Sequence, residues 1–369
     1  MSTTPESTPP TGSGRSILSR LRRIRWRKIG LFVGSLMLFI LGLETMRTGA
    51  RGLAPLITGL LQVSNPVNSL GFGWLFAYAV MSGSPVAAAS LTFFDAGLID
   101  QVGAFAMITG SRLGASLVVL LIGAIYMLRG HERLASLATG VLALSVTASI
   151  YLPALPLGYL MMTSGVLDGL IPFNPQGALI SLIDVVFGLP VALAGRLLPE
   201  WMVFLLGLGV IIASFNLLDR ALPNFSLKES AFGQIARLLY RPIVTFSLGF
   251  GLTLLTMSVS VSLGLLVPLS ARGYIRRENL VPYIMGCNVS TFIDTLIAGL
   301  LLGNPKAAVI VLAEMSSILI ISLIVLLFFF PAYERAVLRF VIAVTRTRKR
   351  LIAFLIAIFA LPIALLFVR

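Results

Sequence analysis

Long apolar runs recur along almost the whole of this chain, and they constrain its fold more than any other feature. They fall at about 28–46, 103–127, 134–151, 154–171, 176–194, 201–218, 280–302, 307–330 and 351–368. Each approaches or exceeds the roughly 20 residues with which an α-helix crosses a bilayer. Lipid offers no partner to a backbone amide, so runs of this kind must be helical. Of the 369 residues, 57% are hydrophobic and 11% charged. A soluble domain carries about 25% charged residues. The expected fold class is therefore an all-α polytopic membrane protein.

Two further apolar segments, about 72–98 and 243–269, are interrupted midway by Ser, Gly and Pro. They read as re-entrant helical hairpins, two half-helices that enter and leave on the same side. Non-helical backbone at membrane depth is tolerated only where it is buried in protein or lines a cavity. The interruptions correspond without a gap, 176 positions apart. Met81-Ser82-Gly83-Ser84 matches Met257-Ser258-Val259-Ser260, and Gly97 matches Gly273. Gly110-Ser111-Arg112-Leu113-Gly114-Ala115 matches Gly286-Cys287-Asn288-Val289-Ser290-Thr291. Upstream, Phe39–Leu43 matches Phe204–Leu208 at an offset of 165. Paired interruptions in two halves of a membrane protein point to a transporter's binding site.

The net charge of +14 does not suggest nucleic acid, because of where it lies. Arg15, Arg20, Arg22, Arg23, Arg25, Arg27 and Lys28 precede the first run, and Arg335, Arg339, Arg346, Arg348, Lys349 and Arg350 sit between the last two. Such clusters set orientation and touch anionic lipid. A cytoplasmic N-terminus puts these clusters inside, together with the loop at Arg129–Arg133, Lys228, Arg237, Arg241, Arg272, Arg276 and Arg277. The first hairpin then opens outward and the second inward, so the repeats have inverted topology. Arg47, Arg51 and Arg196 fall on the other side.

The expected organisation has five parts. Residues 1–27 form a disordered basic segment and 28–130 the first repeat. Connecting transmembrane helices occupy 131–195, with turns at Pro153, Pro156, Pro172 and Pro175. The second repeat is 196–305, and 306–369 holds C-terminal helices joined by a basic loop. Cys287 is the only cysteine, so no internal disulfide forms, and His131 is the only histidine. No G-x-S-x-G elbow, P-loop, H-E-x-x-H or paired histidine is present, so no enzyme is expected.

The arrangement resembles the sodium/phosphate cotransporter family, the type II Na/Pi cotransporters and their bacterial relatives. That family's repeats carry a QSSS hairpin motif followed by a GANIGTT-like motif. Residues 81–84 and 257–260 occupy the QSSS positions, and 110–116 and 286–292 the GANIGTT positions. Phe94-Asp95-Ala96-Gly97-Leu98 is similar to the intervening NAGL, and residues 42–49 are similar to the GLxxMxxG opening. Here both glutamines are methionine, the middle serines are Gly83 and Val259, and Arg112 stands where the first motif has asparagine. The resemblance implies an inner-membrane secondary transporter for inorganic phosphate or a related anion, coupled to sodium. It implies no cofactor and leaves a homo-oligomer open.

The residues carry that chemistry. Half-helix N-termini attract anions. Ser82, Ser84, Ser258, Ser260 and Ser262 offer hydroxyls, and Gly83 lets backbone approach a ligand. Asn288 adds an amide to the substrate site. Arg112, near the middle of an apolar run, is expected to face the hairpin tips and to hold an anion bidentately. Its charge is also suited to replace a bound sodium. The structural alternative is a pair with Asp95 or Asp294, or snorkelling. Asp95, Thr256, Thr291 and Asp294 are the candidate ion-binding oxygens. Glu44 and Arg47, three apart, read as a pair at a membrane edge, Asp168 and Asp184 as cavity candidates, and Glu314 as a buried carboxylate without repeat support.

Overall fold

A computed structural model describes residues 26–61, 63, 65–128, 133–170, 178–221, 241–257, 262–263 and 277–368. These residues form helices joined by turns, with no strand among them. The first half holds α1 (Trp26–Gly49), α2 (Pro66–Val80), α3 (Ser84–Asp95), α4 (Gln101–Leu128) and α5 (Arg133–Thr163). Next come α6 (Ala178–Leu197), α7 (Glu200–Ala221), α8 (Pro242–Thr256), α9 (Arg277–Ser290) and α10 (Ile293–Leu301). The chain then forms α11 (Pro305–Ile324), α12 (Phe330–Thr345) and α13 (Arg348–Leu366). Seven segments among the described residues are long and apolar enough to cross a membrane. They are 27–53, 101–121, 137–163, 200–221, 278–301, 305–345 and 348–366. The protein is an all-α integral membrane protein.

Three boundaries differ from the sequence expectation. The runs 134–151 and 154–171 are one helix, α5, with Pro153 and Pro156 inside it. A proline removes one donor from the helix ladder, and neighbouring groups in a membrane bundle re-satisfy what it frees. The run 280–302 is instead broken, α9 ending at Ser290 and α10 starting at Ile293. The basic stretch after Arg335 is not a loop: α12 carries it to Thr345, and only Arg346 and Thr347 turn. Val337, Val341 and Val344 are buried at helical spacing while Arg335 and Arg339 face out, as an amphipathic helix requires. At the N-terminus, helix begins at Trp26, and the residues before it lie outside the described set.

The segments 176 residues apart keep the same register. α2 and α8 each span 15 residues and each begin with a proline, Pro66 and Pro242, which is pre-shaped for a helix start. Asn65 also caps α2, its side chain accepting from the N–H groups of Val67 and Asn68. Both helices stop before a methionine in the left-handed region, Met81 at φ 57° and Met257 at φ 50°. These are the only non-glycine residues at positive φ among the described ones. α4 and α9 start in step, at Gln101 and Arg277. The packing repeats as well. A Cβ on Gly73 would collide with the carbonyl oxygen of Met107, and one on Gly249 with that of Tyr283. Gly110 meets the Leu70 carbonyl as Gly286 meets that of Phe246.

α1 and α7 meet through reciprocal contacts. A Cβ on Gly42 would touch Ile211, and one on Gly207 would touch Met46, positions that exchange at the offset of 165. Likewise Gly49 abuts the Glu200 carbonyl, and the Ser214 hydroxyl donates to the Ser35 carbonyl at 2.7 Å. Residue numbers rise on one helix as they fall on the other, so the two run antiparallel. Contacts that exchange in this way define an isologous interface, the kind a two-fold relation produces.

Candidate functional site

The turn between α2 and α3 and the end of α8 open onto one cavity of about 350 Å³. Ser82, Gly83 and Ser84 line it from the α2–α3 turn, Met257 from the end of α8, and Leu263 lines it as well. Arg112, Asn288 and Thr291 complete the sequence-predicted part of the wall. The turn geometry follows from local chemistry. Met81 in the left-handed region ends α2, and Pro85 at the second position of α3 starts the next helix. The first N–H groups of α3 have no partner within their own helix, and no side chain caps them.

Arg112 is 5% exposed and lies on α4. One terminal nitrogen donates to Ser84 Oγ at 2.9 Å and to Thr291 Oγ1 at 3.2 Å. The other donates to Asp294 Oδ1 at 3.1 Å and to Thr295 Oγ1 at 2.6 Å. The guanidinium carbon stands 4.8 Å from the centroid of the Phe292 ring, within cation–π range. Nε and Asp294 Oδ2 are buried without a hydrogen-bond partner. The break at Thr291 and Phe292 presents these groups: it lets α10 restart with Asp294 and Thr295 turned toward Arg112. Both terminal nitrogens are engaged, so the expected bidentate grip on an anion is not available in this arrangement.

The remaining candidates divide into three sets. Asn288 is held from α5: Thr147 exchanges hydrogen bonds with its side chain at 3.1 and 3.3 Å, and the Tyr151 hydroxyl donates to its carbonyl at 2.9 Å. Thr256 and Ser262 are buried behind Met257, their hydroxyls 3.2 Å apart, and neither lines the cavity. Ser258 and Ser260 lie outside the described residues, as does His131.

Asp95 is not part of this site. It ends the 12-residue α3, which begins at Ser84. At 1.5 Å per residue it stands roughly 16 Å from the turn. Its carboxylate accepts from Arg47 Nε at 2.8 Å and from Asn304 Nδ2 at 3.1 Å. Of the expected partners for Arg112, Asp294 is the one in contact. Glu44 stands 4.0 Å from Arg47, as its spacing predicts. Asp168 is exposed rather than cavity-lining, and the side chain of Asp184 lies outside the described set. Glu314 on α11 is 1% exposed and accepts a hydrogen bond from Thr109, which lies one turn before Arg112 on α4.

Four polar lining residues were not singled out from sequence: Thr147 and Tyr151 on α5, and Asn216 and Asp219 on α7. The last two are three apart and so share a helix face. That spacing, at the end of an apolar run, was the available signal. No group of three or more His, Cys, Asp or Glu residues suited to a metal ion occurs among the described residues. Compared with known proteins, the chain matches no family model, no curated protein and no solved structure.

Proposed function

We propose that this protein is a secondary transporter that moves inorganic phosphate or a related anion across a membrane. The anion binds in the cavity between the α2–α3 turn and the end of α8. The observation that carries the reading is a buried fixed charge, Arg112, in the wall of a cavity built at two register-matched helix ends. The cavity offers an anion the uncapped N-terminus of α3 and the hydroxyls of Ser82 and Ser84. Asn288 adds an amide, and Arg112 brings a positive charge that its pairing with Asp294 partly offsets.

In this reading the two register-matched segments are inverted repeats, each with a re-entrant hairpin. At 15 and 12 residues, α2 and α3 are each shorter than a span, so their turn lies at membrane depth. The reciprocal α1–α7 contacts are what a pseudo-two-fold axis in the membrane plane predicts. Rocking of one repeat against the other exposes the cavity to each side in turn. The basic clusters support a cytoplasmic N-terminus, and the reading takes the membrane to be a bacterial inner membrane.

The test is uptake of ³²P-phosphate into proteoliposomes, with Ser84→Ala/Ser260→Ala as the comparison. Uptake that the double variant abolishes supports the reading. No uptake of phosphate or competing anions by folded protein overturns it, and would favour a membrane protein that keeps this scaffold without transport.

A further inference from the structure

The guanidinium of Arg112 fills a cage with the chemistry of a small-cation site. Four oxygens from four residues surround its terminal nitrogens at 2.6–3.2 Å: Ser84 Oγ, Thr291 Oγ1, Asp294 Oδ1 and Thr295 Oγ1. Three hydroxyls and a carboxylate are hard oxygen donors of the kind alkali and alkaline-earth cations take. They come from the start of α3, the break at Thr291 and the start of α10, so the cage joins three elements. Asp294 supplies its one negative charge and has a further buried oxygen, Oδ2, without a partner. The position 176 residues on is Asn288, which is neutral and turned toward Thr147. The permanent cation is therefore confined to one half.

Resting on the anion-transport reading, we propose that Arg112 is a tethered cation that stands in place of a coupling ion. The protein moves its anion without sodium, and shortening this side chain opens the cage to a small monovalent cation. The physics is direct. An arginine cannot lose its proton in a protein, so Asp294 stays neutralised through the whole transport cycle. A mobile cation entering the filled cage would place two positive charges beside one carboxylate, in a setting of low dielectric where like charges repel strongly. With the side chain removed, the buried carboxylate lacks a counter-charge, and an ion of the right size relieves that cost.

The experiment compares wild type, Arg112→Ala and Arg112→Lys in NaCl, KCl and choline chloride at equal ionic strength. Thermal unfolding of purified protein is one readout, and ³²P-phosphate uptake into proteoliposomes is the other. Wild type is expected to unfold at one temperature and to take up phosphate at one rate in all three salts. Arg112→Ala is expected to be destabilised in choline, to be stabilised selectively by NaCl, and to take up phosphate only with sodium present. Arg112→Lys, which keeps a charge in the cage, is expected to be indifferent to the salt.

Sodium-specific stabilisation of wild type, or sodium-stimulated wild-type uptake, overturns the proposal. So does a folded Arg112→Ala protein that ignores sodium. The wild-type arm needs no variant and keeps the proposal falsifiable even where Arg112→Ala does not fold. Absence of phosphate uptake in every salt counts against the transport reading instead, while the unfolding temperatures still report on the cage.

Discussion

Arg112 and Asp294 form an ion pair at 3.1 Å with both side chains almost wholly buried, 5% and 4% exposed. The pair ties α4 to α10 through residues 182 apart in the chain. Breaking a buried pair from one side strands the other charge, which costs about 3–5 kcal/mol. Replacing both partners by apolar residues of similar size is far milder. Asp294→Leu is therefore expected to lower stability by that amount, and Arg112→Met/Asp294→Leu to recover most of it. A double-mutant cycle on thermal unfolding in detergent measures the coupling. Losses in Asp294→Leu and Arg112→Met that simply add in the double variant would show that the pair contributes nothing specific.

Gly73 and Gly249 are predicted to be equivalent under substitution. In each case a methyl group would press on a carbonyl oxygen of the partner helix, Met107 or Tyr283. Overpacking of this kind costs about 1–3 kcal/mol. Gly251, two residues along α8, has open space around it. There alanine is expected to stabilise, because it removes a glycine from a helix interior, worth up to about 1 kcal/mol. Unfolding of Gly73→Ala, Gly249→Ala and Gly251→Ala tests the register directly. A Gly249→Ala protein as stable as Gly251→Ala would refute the matched packing.

The register match at an offset of 176 was legible at Met81 and Met257 and at Gly110 and Gly286, whose backbone turn and close packing recur in the structure. The helix-starting Pro66 and Pro242 and the packing glycines Gly73 and Gly249 keep the same offset but were not singled out from sequence. The Arg112 cage was legible only in part. That a charge in an apolar run must find partners follows from solvation, and Asp294 was one of two expected. Ser84 lies at the tip that Arg112 was expected to face, whereas Thr291 and Thr295 as ligands depend on the break at Thr291 and Phe292. That break is a tertiary outcome in a stretch whose apolar pattern reads as one continuous span. The same blindness to tertiary context split α5 at its prolines. Asp95 was misplaced for a simpler reason: nearness in sequence to the turn is not nearness in space once α3 carries it a helix-length away.

Asp95→Ala provides a check on that displacement. Its partner Arg47 is 40% exposed, and pairs of this kind contribute about 0–1 kcal/mol. The variant is expected to stay within about 1 kcal/mol of wild type, and its phosphate uptake to persist. Abolished uptake in a stably folded Asp95→Ala protein would return this carboxylate to the transport pathway.

Tyr151 acts on the site through the broken helix. The last carbonyls of α9 have no intrahelical partner, because the helix stops at Ser290. The Thr291 N–H satisfies the Cys287 carbonyl at 3.0 Å, and the Tyr151 hydroxyl satisfies that of Asn288 at 2.9 Å. Both Tyr151 and Asn288 are buried and both line the cavity. Tyr151→Phe keeps the ring and its packing against Phe292, whose centroid is 5.9 Å away, but withdraws the donor. A buried carbonyl left without a partner costs about 1–3 kcal/mol. The variant is expected to lose that much stability and to weaken phosphate uptake, because the segment that presents Asn288 and Thr291 loses its fixed position. Thr147→Val, which withdraws the partner of the Asn288 side chain, is expected to weaken uptake in the same direction. Uptake unchanged in both variants would remove the α5 face of the cavity from the transport site.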